Sequence, residues 1–247
     1  MDWAPDCAIH LVIDELVARR IRATWFVTHV SPAVERLRRY PKLFELGIHP
    51  NFLLGSTHGD TPEAVSRHCM ALVPDAISMR THGLAQSTVL LERVLAATPI
   101  AVDVSLFLPR APALQPVEYP WRGRILTRIP YFWEDDFEME RTTPCWRVAP
   151  LLTVGEGLKV FDFHPIHIYL NSAEPGPYEA LKQRVSKLSE AVPDEIAPYV
   201  RHGEGTRTLF LELIECLTLI GQSACIRDIH QRWRLQESGV VELQSTR

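Results

Sequence analysis

The chain has 247 residues, a formal charge of -4, and 46% apolar against 23% charged residues, the mixture of a globular protein with material for a core rather than of a disordered one. That charge gives no electrostatic case for nucleic acid or an anionic membrane surface, and no apolar run approaches the ~20 residues that span a bilayer. The 5 cysteines are odd in number and widely spaced, without a CxxC pair, so reduced thiols are expected; with no signal-peptide pattern at Met1-Asp2-Trp3-Ala4-Pro5-Asp6, so is a cytoplasmic location.

Asp2 to Asp6 is turn chemistry, after which Ile9, Val12, Ile13, Leu16 and Val17 recur at helical spacing and predict a helix over 7–21. Ala23-Thr24-Trp25-Phe26-Val27 is β-branched and aromatic, as suits a buried strand. Ser31-Pro32 and Thr61-Pro62-Glu63 each set a capping hydroxyl before a proline, which predicts helices toward Tyr40 and through Val73. Between them the apolar run Glu45-Leu46-Gly47-Ile48-His49 must stop at Pro50, because proline cannot donate to a sheet ladder. Further strands are predicted at 76–79, 100–104, 124–129 and 160–163, and further helices at 87–97, 178–191, 206–220 and 225–234, before a polar tail. The proline-rich stretch from Leu108 to Arg122 is expected to be irregular. Alternating strands and helices argue for a single α/β domain over 1–247, whose parallel strand ends converge on one face and build the site there.

His29, His49, His82 and His164 all fall at or just past predicted strand ends. Imidazole with carboxylate is the ligand set of a catalytic zinc or similar divalent metal, and such a metal lowers the pKa of a bound water toward ~7. The plainer reading of any one of these histidines is a hydrogen-bonded side chain near the surface. For Arg80 the plainer reading is a surface ion pair, and for Trp133 a core aromatic.

Taken in order, Asp2-Trp3-Ala4-Pro5-Asp6, Ala23 to Val27, Glu45 to His49, Arg80-Thr81-His82-Gly83 and Phe161-Asp162-Phe163-His164-Pro165 resemble the motifs of the NodB-type polysaccharide deacetylases, carbohydrate esterase family four. The pattern looks most like a subgroup linked to bacterial O-antigen biosynthesis. The resemblance implies a distorted (β/α) barrel of roughly seven strands and metal-dependent removal of acetyl groups from amino sugars. It implies Asp2 and His49 as metal ligands, Arg80 as the residue that orients the catalytic base, and His164 as the acid that protonates the leaving amine. Trp133 would wall the pocket by stacking on a sugar ring, with His82 and Asp135 as further substrate contacts.

Two departures from the family matter. Its second histidine ligand follows the first by about one helical turn, yet Leu53 stands there; His58, Asn51 and His82 are the candidates to replace it, His58 first. The family also has a strand before the aspartate motif, ending on the carboxylate that serves as base. This chain begins inside that motif, so the first strand is expected to be missing, with Asp6 or Asp135 as substitute base. The expected function is a metal-dependent N-deacetylase acting on an acetylated sugar or polysaccharide precursor. The competing readings are a sugar-binding protein without catalysis and a metal amidohydrolase acting on a small non-sugar amide.

Overall fold

The structure is a computed structural model that describes residues 1–237; the end of the expected polar tail, 238–247, lies outside the described residues. The first half alternates α1 (Asp6–Ala18), β1 (Ala23–Val27), α2 (Pro32–Arg38), β2 (Phe44–Ile48), α3 (Pro62–Leu72), β3 (Ser78–Met79), α4 (Thr88–Ala97) and β4 (Val102–Asp103). The predicted caps hold their helices, the Ser31 and Thr61 hydroxyls accepting from the backbone N–H groups of Ala33 and Ala64, and Ser87 does the same for Leu90 in α4, each satisfying one donor that a helix start leaves open.

The second half has β5 (Val117–Trp121), β6 (Arg124–Arg128), β7 (Trp133–Glu134), α5 (Asp135–Met139), α6 (Val148–Leu152), β8 (Phe161–Asp162) and α7 (Pro165–Leu170). It ends with α8 (Gly176–Arg184), α9 (Pro193–Ile196), α10 (Thr206–Ile220) and α11 (Ile226–Glu237). Two expectations change here. Part of the stretch read as irregular is the strand β5, which pairs antiparallel with β6; it carries Pro120 because it is the last strand of its sheet, where a missing N–H costs no ladder bond. The hairpin turns on Arg122 and Gly123, at φ 45° and 77°, the positive pair that a two-residue turn needs to match the strand twist. The helix expected over 178–191 ends at Arg184, since α8 buries only Leu181 and has no apolar face to extend.

Six strands form one sheet in the order β1-β2-β3-β4-β6-β5, and β7 pairs with β8. All pairings but the hairpin are parallel, and a parallel bridge from Phe107 to Tyr131 continues toward β7. The result is an α/β fold with a mostly parallel central sheet. The expected distorted barrel of roughly seven strands is matched by the mostly parallel strands, which lie in two sheets, of six and of two; no ladder joins β8 to β1 among the described residues, so a closed barrel is not established. The Val27 carbonyl of β1 faces β2, where it accepts from His49 N; the Phe26 carbonyl therefore faces the other edge, and there the Met1 ammonium donates to it at 2.7 Å.

Helices cover the sheet, α1 on α7, α3 on α4 and α10 on α7, around a core that includes Ile9, Ile13, Leu37, Ile48, Met79 and Leu95. A smaller cluster of Phe26, Val102, Val104, Ile129 and Tyr131 is closed by Ile226 of α11. The buried Glu45 carboxylate fixes that helix, accepting from Thr24 Oγ1 and Ser78 Oγ at 2.7 Å and from Arg227 N at 2.8 Å. Gly47 is needed in β2 because a Cβ there would come within 2.6 Å of Ser78 Oγ and 2.8 Å of the Phe26 ring. All five cysteines are free thiols. Among the described residues no helix is long and apolar enough to cross a membrane.

Candidate active site

Parallel pairing brings the strand ends together, and the C-terminal ends of β2 and β3 each deliver an imidazole. His49 follows β2, and His82 opens a single 3₁₀ turn (His82–Leu84) after β3, its N–H donating to Pro50 O at 3.0 Å. Asp2 reaches them from the turn before α1. There Asp2 and Trp3 lie at φ 46° and 52°, left-handed backbone that costs a non-glycine residue about 1–3 kcal/mol.

Asp2 Oδ1 lies 2.8 Å from His82 Nδ1 and 3.6 Å from His49 Nε2. The first is a close carboxylate–imidazole contact and the second is longer than a hydrogen bond; Asp2 Oδ1 and both His49 ring nitrogens are buried without a hydrogen bond among the described residues. One donor atom from each of the three side chains lies within 4.8 Å of the others. Each buried orphan costs about 1–3 kcal/mol, and the Asp2 oxygen with one nitrogen from each imidazole is a donor set that could hold a metal ion. Burial pushes the His49 imidazole down to about 3, which leaves it neutral. Burial alone would raise the Asp2 carboxyl, but the imidazoles of His49 and His82 and the charge of His164 hold it well below the usual carboxylate range.

The adjoining half of the site is richer in partners, although Arg80 Nε and Asp162 Oδ2 are buried without a hydrogen bond among the described residues. His164 caps α7, its backbone N–H donating to Asp135 Oδ2 at 2.8 Å and its Nδ1 meeting Asp135 Oδ1 at 2.6 Å. Burial opposes a charged imidazole here, yet Asp135 and Asp136 raise His164 well above its ordinary value, which favours the imidazolium. Arg80, just past β3, is 4% exposed, not the surface ion pair of the plainer reading. It pairs with Glu134 and, at 2.8 Å, with Asp162, and its Nη2 donates to the Tyr131 hydroxyl at 3.3 Å. Burial works against the Arg80 charge, but Asp162 and Glu134 more than offset it. Burial and the neighbouring Asp162 push Glu134 up to about 7, against the pull of Arg80. Candidate ligand atoms of Glu134, Asp162 and His164 also lie within 4.8 Å of one another.

Several expected residues stand elsewhere. His58, ranked first as the further ligand, lies outside the Asp2 cluster: its Nε2 meets Thr28 O at 3.0 Å and its Nδ1 accepts from Asn51 N at 3.3 Å, so both nitrogens are spent on backbone. His82, expected to touch substrate, takes the place in the cluster instead. Asp6 accepts from the Ser31 hydroxyl and ties α1 to the start of α2; it is not in the cluster. Asp135 is fully buried on His164, which leaves it neither a free base nor a substrate contact. Trp133 is 2% exposed, packed against Trp146 and Phe163, with its indole N–H donating to Glu138 Oε2 at 3.0 Å. It is the core aromatic of the plainer reading and cannot stack on a sugar. His29 turns Nδ1 to Thr28 Oγ1 at 2.8 Å. The residues that the sequence reading gave no role are Glu134, Asp136, Asp162 and His167; their signal was adjacency, in the acidic run 134–136 and in His164-Pro165-Ile166-His167.

Residues 1–182 match the family model of the WbmS-like polysaccharide deacetylases. The chain is also similar to a solved structure from Bordetella bronchiseptica, WbmS, described as a candidate polysaccharide deacetylase involved in O-antigen biosynthesis. That similarity has a TM-score of 0.73 at 31% identity and covers 87% of each chain. A comparison with curated proteins finds no match. The match to the family model runs from the Asp2 turn through α7 and so takes in every side chain of the site just described: the chain belongs to the WbmS-like polysaccharide deacetylase family.

Proposed function

We propose that this protein is a metal-dependent N-deacetylase that removes the acetyl group from an amino sugar during synthesis of O-antigen surface polysaccharide. Family membership supports the reaction class, and the role described for the Bordetella bronchiseptica protein supports the pathway. The observation that carries the metal is the orphaned Asp2 Oδ1 and one orphaned His49 nitrogen, with a His82 nitrogen within 4.8 Å of both. A carboxylate with two imidazoles fits a catalytic divalent cation, zinc first, with positions left open for water and substrate.

When bound, such a cation polarises the acetamide carbonyl and makes water a nucleophile near neutral pH. The chain's own residues supply the proton transfers. Arg80 holds the carboxylates of Glu134 and Asp162 close to His164, and this pair, rather than Asp6 or Asp135, takes the proton of the attacking water. His164, kept protonated by Asp135, gives a proton from Nε2 to the departing nitrogen as the C–N bond breaks. Water and acetamide thus become acetate and a free amine.

The test is metal content by elemental analysis, together with acetate release from N-acetylated sugar donors before and after chelation. Stoichiometric zinc with zinc-dependent acetate release is expected. Undiminished release from metal-free protein would overturn the reading; sugar binding without release would favour the binding protein, and preference for small acetamides the amidohydrolase.

A further inference from the structure

Helix α7 carries a second buried histidine that the reaction above does not use. His167 follows His164 by three residues, which puts both rings on one side of the helix, their centroids 5.7 Å apart. His167 Nδ1 lies 3.0 Å from Ser172 Oγ, and its Nε2 lies 2.9 Å from Asp136 Oδ1. The ring also meets Tyr178 edge-on at 4.6 Å. Ser172 is set by the end of the helix: Asn171 adopts φ 52°, and Ser172 N returns to His167 O at 3.0 Å. With the serine hydroxyl donating to Nδ1, the remaining proton sits on Nε2 and points at Asp136.

Asp136 has reason to need this hold. Its side chain is 52% exposed, while its other oxygen, Oδ2, lies 3.7 Å from His164 Nδ1. A carboxylate so open to water rotates away unless something fixes it, and an unfixed exposed pair contributes little.

We propose that His167 is a positioning residue for His164: it pins Asp136 so that a second carboxylate, besides Asp135, faces the acid's imidazole. For its part in turnover this rests on the deacetylase reading; its geometry does not. The charged and titratable groups around His164 are Asp135 and Asp136 from α5, Glu134 and Asp162 from β7 and β8, Asp2 from the N-terminal turn, and His167 on its own helix. Arg80 is engaged with Glu134 and Asp162, and Tyr178 lies edge-on against His167. Among the described residues, Asp136 is the one of these carboxylates that pairs with His167.

The experiment compares Asp136→Asn, His167→Ala and His167→Gln in the full chain by the pH dependence of acetate release and by histidine NMR of the His164 titration, without substrate. Glutamine keeps an N–H that can reach Asp136. Asp136→Asn and His167→Ala are each expected to lower the His164 midpoint by about one unit and to bring the alkaline limb of kcat down with it, because the acid must stay protonated. The double variant should go no further, and His167→Gln should match the unaltered protein. Asp136→Asn is the variant on the solvent side and keeps the test open if His167→Ala does not fold. An unmoved midpoint in Asp136→Asn, or a His167→Gln midpoint displaced as far as that of His167→Ala, overturns the proposal. If no form of the protein releases acetate, the deacetylase reading falls and the NMR midpoints still decide the positioning.

Discussion

The two halves of the site differ in how their polar atoms are used. Around Asp2, His49 and His82 one atom from each side chain converges, and Asp2 Oδ1 and both His49 nitrogens are buried without a hydrogen bond among the described residues. Around His164 more of the approaches end on a partner: Asp135 takes both the backbone N–H and Nδ1, Asp136 stands behind, and His167 holds Asp136, though Asp162 Oδ2 and Arg80 Nε alongside are buried without a hydrogen bond among the described residues. Fully satisfied networks rigidify, whereas orphaned ones cost stability unless a ligand completes them. The first half is therefore read as a binding site and the second as a proton donor already assembled. His58, His49's neighbour along the chain, sharpens the contrast: it too is buried, yet both of its nitrogens are spent on backbone.

The largest break in this comparison comes from Asp2→Asn. Losing the one carboxylate of the orphaned set should abolish stoichiometric zinc and lower kcat/KM by about 1000-fold, since the cation's charge stabilisation is worth several kcal/mol. Elemental analysis beside acetate assays measures both, and full zinc occupancy in this variant would remove Asp2 from the ligand set.

Next is Asp135→Asn in the half around His164. Stranding one partner of a buried ion pair costs about 3–5 kcal/mol, which urea titration reads directly. The pH dependence has a definite sign. The folded value of His164 is raised, so its contribution to stability is fully present below the unfolded value near ~6.5 and fades as pH climbs through the folded value. That fade should flatten in Asp135→Asn; an unchanged stability-against-pH curve would mean that the pair does not hold the proton.

His164→Gln should lower kcat by about 100-fold or more, the worth of a general acid, while zinc content stays at the level of the unaltered protein. Loss of zinc in this variant would merge the two halves and erase the distinction between them. The smallest effect is expected from His58→Gln: about 1 kcal/mol of stability and no change in bound metal. A metal-free His58→Gln protein would return His58 to the ligand set at His82's expense.

The sequence located local structure well wherever the cause was local. Strand β1 was predicted at 23–27 and helix α10 at 206–220, where they are found, because β-branching and a 3.6-residue apolar period act over a few neighbours. Pro120 misled because its cost depends on whether a strand has a neighbour on that side, which only the assembled sheet decides. Trp133 misled for a related reason: an aromatic past a strand end reads the same whether it faces a cleft or, as here, Trp146 and Phe163.

By itself, then, the chain's sequence determined which side chains stand at strand ends, since proline at 50 and the apolar runs before His49, Arg80 and His164 are local facts. The tertiary structure decided which of them meet. Ile48 pairs with Met79 across β2 and β3, and that register sets His82 beside His49 while His58, much closer along the chain, turns to the Thr28 carbonyl. Sheet register is fixed by burying whole strand faces at once, and no spacing within a single segment carries that information.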